Sequence, residues 1–281
     1  MTRHSITLAL ILISTCAAAS AQETRRIPRP DGVTTAAVYA PTGVCRGIAV
    51  LSHGAGGSEK GLAYLAAHLR DGGYLAIVPG HALSGRAALR AHIPQGRLRG
   101  AVKEGLSGLV TDADAYRDRF ADIQAARDWG KARCRSGFSV LIGHSMGAAT
   151  TMLLAGADNR LGLDTRIAFD AYIALSPQGA GHIFPANAWR GIRAPVYSLT
   201  GTEDAEIDAD WTSRLQPYRN MTPGCKWQGV VEGGNHRDFG GGGTAAETAL
   251  ITGSIDAFLA GVRSGKCAGG YRGAGIRVET K

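Results

Sequence analysis

Aromatic residues are scarce in this chain. Phe, Trp and Tyr make up 6% of its 281 residues, against 31 Lys and Arg. The formal charge of +8 invites a nucleic-acid reading. The basic residues are scattered, however, and no stretch interleaves them with the aromatic side chains on which bases stack. No nucleic-acid partner is expected, and the positive charge is read as a solvated surface. Cysteine is sparse too, with five in all. There is no C-x-x-C and no Cys/His cluster at zinc spacing, so no metal is expected. Glycine is plentiful, yet neither a Walker lysine motif nor G-x-G-x-x-G occurs, which removes the two common phosphate cradles. No organic cofactor is expected. Internal repeats and interdomain linkers are also missing. What remains is one α/β domain of ample core, at 44% hydrophobic content.

The N-terminus has the make-up of a targeting signal. Arg3 supplies the positive end, Ile6 to Ala19 is mostly apolar, and Ala19-Ser20-Ala21 fits a cleavage site before Gln22. The apolar run falls short of the roughly 20 residues of a membrane span, so no stable membrane anchor is expected. Thr15 is a poor residue before a lipidated cysteine, which argues against a lipid on Cys16. Residues 1–21 are thus expected to be a cleaved signal peptide and residues 22–281 a single domain, secreted or periplasmic. Cys45, Cys134, Cys225 and Cys267 remain after cleavage. An even number in an exported chain argues for two disulfides, with three pairings open.

Along the chain, Glu23 to Arg29 and Val33 to Tyr39 flank Asp31-Gly32 and form a predicted hairpin. Gly47 to Leu51 and Tyr74 to Val78 are predicted buried strands. Between them lies a helix carrying Leu62, Leu65 and Leu69 on one face, capped by Ser58 and stopped by Gly72-Gly73. Strand, helix, strand at this spacing implies a parallel sheet. Residues 80–110 show no clean period and fit a partly helical excursion near the pocket or a surface loop. Asp112 to Lys131 is a predicted helix with Tyr116, Phe120 and Ile123 on one side. Further strands are expected at Ala171–Leu175, Pro195–Leu199 and Trp227–Val231, the last of the main sheet. A closing helix from Thr244 to Val262 carries Ile251, Ile255, Phe258 and Val262 as its stripe. The stretch from Leu175 to Pro195 is too short for a large helical lid. The Gly-rich tail after Ser264 is expected to pack loosely, tied down by Cys267.

The stretch from Phe138 to Leu154 organises the rest. It contains Gly143-His144-Ser145-Met146-Gly147, a G-x-S-x-G pattern, between the apolar run Phe138–Ile142 and a helical run from Ala148. Strand, tight turn and helix make a nucleophile elbow, with glycines two residues either side of a serine held at a strained angle. A serine there needs a base, and the base an orienting acid, in the order Ser, acid, His. Asp204 follows the Pro195–Leu199 strand, and His236 follows the Trp227–Val231 strand. Carboxyl ends of parallel strands are where such sites lie. Glu203 is the neighbouring alternative to Asp204. Asp208 and Asp210 lie further into the loop, and Asp170 precedes its strand. His4 is in the signal, His68 on a helix, and His81 and His92 have no matching strand end. His182 sits in a short loop, and His53 and His144 read as structural supports. Ser145, Asp204 and His236 are the expected catalytic set. The oxyanion hole is expected from the N–H groups of Met146 and of Ala55, with Gly56 as alternate. Gln178, Trp189 and Phe239 are candidate pocket residues.

The combination of SHGAGG, GHSMG, SPQG, LTGTED and NHRDFGG resembles the α/β-hydrolase esterases. More closely, it resembles the dienelactone-hydrolase-like branch near polyester hydrolases and cutinase-like enzymes, over roughly residues 25 to 262. The resemblance implies the α/β-hydrolase fold: a mostly parallel central sheet with helices on both faces. It implies the same roles for Ser145, Asp204, His236, Ala55 and Met146. True dienelactone hydrolases use a cysteine nucleophile, and Ser145 here points instead to ordinary carboxylic esters. The aromatic clamp of polyester hydrolases is not evident, since Ala55 stands where an aromatic residue is frequent in that group. The implied strand order puts the strands after Cys45 and Cys134 side by side, and Cys267 near Cys225. It therefore implies Cys45–Cys134 and Cys225–Cys267 disulfides away from the catalytic edge. The expected activity is hydrolysis of short-chain or accessible esters, small or polymeric, by a monomer. Thioester or lactone hydrolysis, acyl transfer, and a non-catalytic binding protein on the same scaffold are the alternatives.

Overall fold

The computed structural model describes residues 22–94, 100–164 and 167–281. The expected signal peptide, residues 1–21, lies outside the described residues, as do residues 95–99 of the 80–110 segment. In chain order the strands are β1 (Glu23–Arg29), β2 (Gly32–Tyr39), β3 (Gly47–Ser52), β4 (Tyr74–Pro79), β5 (Ser139–His144), β6 (Ala171–Leu175), β7 (Val196–Glu203), β8 (Lys226–Asn235) and β9 (Ile276–Thr280). The helices are α1 (Ala63–Asp71), α2 (Arg86–His92), α3 (Ala101–Val110), α4 (Ala113–Lys131), α5 (Met146–Leu154), α6 (Gln216–Asn220) and α7 (Ala245–Ser264).

All the strands join one sheet in the order β1-β2-β4-β3-β5-β6-β7-β8-β9. From β4 to β8 every pairing is parallel, and β1, β2 and β9 add antiparallel edges. The expectation of a mostly parallel sheet is met. Strands covered on both faces should be apolar throughout rather than alternating. β3 is buried at all its positions. Its Ile48 and Val50 enter the core beneath α4 and α5, with Tyr116, Phe120, Ile123 and Met152. Its Ala49 and Leu51 enter the opposite core, with Leu65 and Leu69 of α1 and Ile255 and Phe258 of α7. Helices therefore cover both faces. The helix ends follow local chemistry: Asp112 accepts from the Asp114 and Ala115 N–H groups at the start of α4, and Thr244 with Glu247 closes a capping box on α7.

The structure departs from the sequence reading in two places, at the start of α1 and in the tail. Ser58 does not cap α1; its hydroxyl accepts from the Lys60 N–H, and the helix begins after Leu62, which takes a left-handed φ of 55°. The loop after β3 needs those extra residues to wrap the His53 ring, against which Gly57 and Gly61 pack. Of the two readings left open for residues 80–110, the partly helical one is found, in α2 and α3. The tail is not loose: β9 pairs with β8 from Val231↔Ile276 to Trp227↔Thr280 and covers the sheet edge. Disulfides join Cys45 to Cys134 and Cys225 to Cys267, with Cα–Cα distances of 5.5 and 5.3 Å. Cys45 and Cys134 precede β3 and β5, at the sheet end opposite Ser145. Two such bridges suggest an oxidising, extracytoplasmic compartment.

Candidate active site

Ser145 sits between β5 and α5 at φ 57° and ψ −119°, a conformation few non-glycine residues adopt. The neighbouring glycines explain how the turn closes. A Cβ at Gly143 would fall on the Gly147 carbonyl, and one at Gly147 on the Ser52 carbonyl. The Ser145 N–H donates to the Leu175 carbonyl at 3.0 Å, tying the turn to the end of β6. The side chain is half-buried.

Asp204 follows β7 directly and is wholly buried, whereas Glu203 faces solvent. One oxygen of Asp204 lies 2.8 Å from His236 Nδ1, and the other accepts from the Thr200 hydroxyl at 2.8 Å. A register shift in the β7–β8 pairing between Gly201 and Glu203 lets the two strand ends lean together. The Thr202 hydroxyl pins that shift by accepting from the Gly233 N–H at 2.8 Å. The His236 side chain remains 39% exposed, open to a substrate. His182 is exposed, and among the described residues no hydrogen bond joins its ring to this group.

Arg214 completes the acid's surroundings, and nothing in the sequence reading pointed to it. Its side chain is 3% exposed, and Nε lies 3.0 Å from Asp204 Oδ1. The guanidinium also donates to the Ser176, Pro177, Asp204 and Ala205 carbonyls at 2.6–3.1 Å. It thus clamps the ends of β6 and β7 around the carboxylate. Burial pushes its pKa down, while Asp204 and Glu206 hold it up.

His144 links the elbow to the His236 loop. Its Nε2 donates to the His236 carbonyl at 3.0 Å, and the two rings pack at 4.8 Å between centroids. Desolvation, then the neighbouring His236, lowers its pKa to about 3, so the ring is neutral. Gly240 leaves room for that ring; a Cβ there would meet His144 Cε1 at 3.1 Å. Asp238 accepts from the Asn235 N–H at 2.8 Å, and Tyr64 donates to the Phe239 carbonyl at 3.1 Å, which fixes the loop carrying His236.

The loop after β3 lies against the serine: a Cβ at Gly54 would stand 3.3 Å from Ser145 Cβ. Among the described residues, neither the Ala55 nor the Met146 N–H donates to a protein acceptor. The Gly56 N–H is already committed to the Ser84 carbonyl at 2.8 Å. The segment beyond β4 flanks this loop, with Leu89 of α2 against Gly56, and Lys103 of α3 paired with Asp208 at 2.6 Å. A cleft of about 460 Å³ opens between α3 and Asp208.

The pocket candidates separate. Gln178 is half-buried near the site, and its Oε1 has no partner. Trp189 and Phe239 are 0% exposed and belong to the two cores, Trp189 against Phe184. Side chains that no water-sized probe reaches do not line an open pocket, so these two are packing residues. Among the described residues, no group of three His, Cys, Asp or Glu side chains is placed to hold a metal.

No protein-family model matches the chain, and no curated protein matches it. Solved structures do. A protein of Klebsiella pneumoniae subsp. pneumoniae MGH 78578, described as a candidate dienelactone hydrolase, is similar over 85% of this chain and 98% of its own, with a TM-score of 0.62 at 17% identity. At that identity the likeness speaks for the fold, and a fold shared this widely hosts many chemistries. Sheet order, elbow and structural neighbour agree: the chain has the α/β-hydrolase fold.

Proposed function

We propose that the protein is a serine hydrolase of carboxylic esters that works through an acyl-enzyme on Ser145. The observation that carries the reading is the buried Asp204 held on His236 Nδ1, with His236 packed on the ring beside Ser145. A carboxylate there keeps the proton on Nδ1 and leaves Nε2 free to act as base. Ser145 Oγ attacks the ester carbonyl as His236 takes its proton. The negative oxygen of the tetrahedral intermediate takes the Ala55 and Met146 N–H groups. The alcohol leaves with the proton from His236. Water, deprotonated by His236, attacks the acyl carbonyl, and the collapse releases the acid and restores Ser145. Small or polymeric accessible esters are the substrate class, because the 177–195 segment folds without a large lid. The disulfides and the N-terminal signal together support export to the periplasm or the medium.

The test is turnover of p-nitrophenyl esters from acetate to decanoate by residues 22–281 and by Ser145→Ala. Hydrolysis by the former and a loss of at least ~10³-fold in the latter are expected. Equal rates in both would overturn the assignment of Ser145. Matched thioester and lactone substrates, and an alcohol acceptor in place of water, separate ester hydrolysis from its neighbouring acyl chemistries.

A further inference from the structure

Behind the loop after β3 lies a buried polar chain that the proposed reaction does not use. Arg119 of α4 is 0% exposed. Its hydrogen bonds go to neutral oxygens: Nε to the Ser84 hydroxyl at 2.7 Å, Nη1 to the Ser52 hydroxyl at 3.0 Å and to the His53 carbonyl at 2.7 Å, and Nη2 toward the Gly54 carbonyl at 3.4 Å. Ser52 in turn contacts His81 Nε2 at 3.0 Å, and His81 Nδ1 contacts Asp122 at 3.0 Å. Asp122 accepts from Arg29 at 2.7 Å. The directions are forced. Arginine only donates, so Ser52 accepts from it; the His81 ring, kept neutral by burial, donates from Nδ1 to Asp122, which leaves Nε2 to accept the Ser52 proton. A buried guanidinium is costly unless it is paired and hydrogen-bonded; the charges of Asp122 and Asp118 support that of Arg119, while its hydrogen bonds go to the loop. Burial lowers the Arg119 pKa to about 10, which leaves it cationic at neutral pH.

What it serves follows from peptide geometry. In a trans peptide the C=O and the next N–H point opposite ways, and there is no cis peptide among the described residues. The Gly54 carbonyl is turned inward, toward Arg119, the Gly57 N–H at 3.2 Å and His53 Nδ1 at 2.7 Å. The Ala55 N–H must then face the other way. The His53 carbonyl, held by Arg119, fixes the Gly54 N–H likewise. A cation on the carbonyl also polarises the N–H of the same peptide.

We propose that Arg119 is a positioning residue for ester hydrolysis: it holds the His53 and Gly54 carbonyls inward, and so presents and polarises the loop N–H groups for the oxyanion on Ser145. This rests on the esterase reading above. The test compares residues 22–281 with Arg119→Lys, Arg119→Met and Ser84→Ala, the last removing the Nε acceptor and a long 3.5 Å bond to the His81 carbonyl while leaving the guanidinium in place. Rates are divided by the fraction of Ser145 that an alkyl fluorophosphonate labels at end point, so that misfolded protein drops out. Expected for Arg119→Met is a fall in kcat per labelled site of about 10²-fold, the size of losing one oxyanion donor, with KM little changed. Affinity for an aryl trifluoromethyl ketone, which forms an oxyanion on the serine, should fall in parallel. Arg119→Lys should recover part of both. Unchanged kcat per labelled site and unchanged ketone affinity, with only the melting temperature lowered, would overturn the proposal. If neither Arg119 variant folds, Ser84→Ala decides it: a parallel loss in kcat and ketone affinity supports the role, and no change in either refutes it. A wild-type chain that hydrolyses no ester and takes no label would instead bring down the esterase reading itself. An active wild type, a dead Ser145→Ala and unaffected Arg119 variants would bring down the Arg119 role alone.

Discussion

Truncating Asp204 and truncating His236 should harm activity alike and stability very differently. Asp204 is wholly buried and faces Arg214, whose side chain is 3% exposed. Asp204→Ala leaves that guanidinium in the interior without its nearest anion. Removing one member of a buried ion pair costs about 3–5 kcal/mol. Glu206 still acts on Arg214, which places this case at the low end, about 3 kcal/mol. With an unfolding entropy of ~2.1 cal/mol/K per residue, a chain of this size loses about 0.6 kcal/mol per degree, so the melting temperature should drop by about 5 °C. His236→Ala removes a ring that is 39% exposed and leaves Asp204 paired with Arg214 and Thr200. Its drop should stay under about 2 °C. Both variants should lose at least ~10³-fold in kcat on p-nitrophenyl butyrate. Thermal unfolding at pH 7.5 followed by circular dichroism, beside the rate assay, measures both quantities. Equal melting temperatures for the two variants would refute the claim that Asp204 also anchors the buried arginine.

Gly147→Ala would place a Cβ on the Ser52 carbonyl, backbone against backbone. The end of β3 and the loop behind it must move, and a shift of about 1 Å at a reacting centre costs ~10²-fold; a variant with native kcat would contradict the packing. Acid should destabilise the fold below about pH 6.5. Burial pushes the pKa of His53, His81 and His144 down, to about 3 for His144. The unfolded chain therefore takes up protons that the folded chain refuses, so this stability is full above the unfolded value and lost as pH falls toward the folded one. His68, raised by its hydrogen bond to Asp256, and Asp122, raised by burial, act in the opposite sense. A net uptake of at least one proton means ~1.4 kcal/mol per pH unit; a melting temperature that is flat or rising from pH 7 to 5 would contradict it. Reduction of the disulfides, which close spans of 89 and 42 residues, should cost up to about 4–5 kcal/mol each by chain entropy. Dithiothreitol should therefore lower the melting temperature but spare the 25 °C kcat, and a large loss of kcat in still-folded protein would tie the bridges to the site.

The elbow was legible because its constraint is local. Two glycines and an apolar strand are needed wherever a serine is held at φ 57°, and all of them lie within a few residues. Asp204 and His236 were legible as candidates because each follows a strand whose apolar run marks it as buried. Arg214 and Arg119 were not. Each is an arginine in a polar sequence neighbourhood whose buried role arises from carbonyls far away along the chain, and hydrogen bonding to backbone leaves no trace in the partner's residue type. β9 escaped notice because its Gly-rich approach and the mixed run Ile-Arg-Val-Glu-Thr suit an edge strand with one exposed face. Trp189 and Phe239 show the converse error: proximity in sequence to site motifs says nothing about which way a large apolar side chain turns, and both turn into the cores.

The central claim is that Ser145 carries the acyl group. The most direct measurement is intact-mass analysis of residues 22–281 after exposure to an alkyl fluorophosphonate, with peptide mapping of the adduct. One adduct is expected, on the peptide holding Gly143-His144-Ser145-Met146-Gly147, and none in Ser145→Ala. An unlabelled wild type, or an adduct that persists in Ser145→Ala, would contradict it.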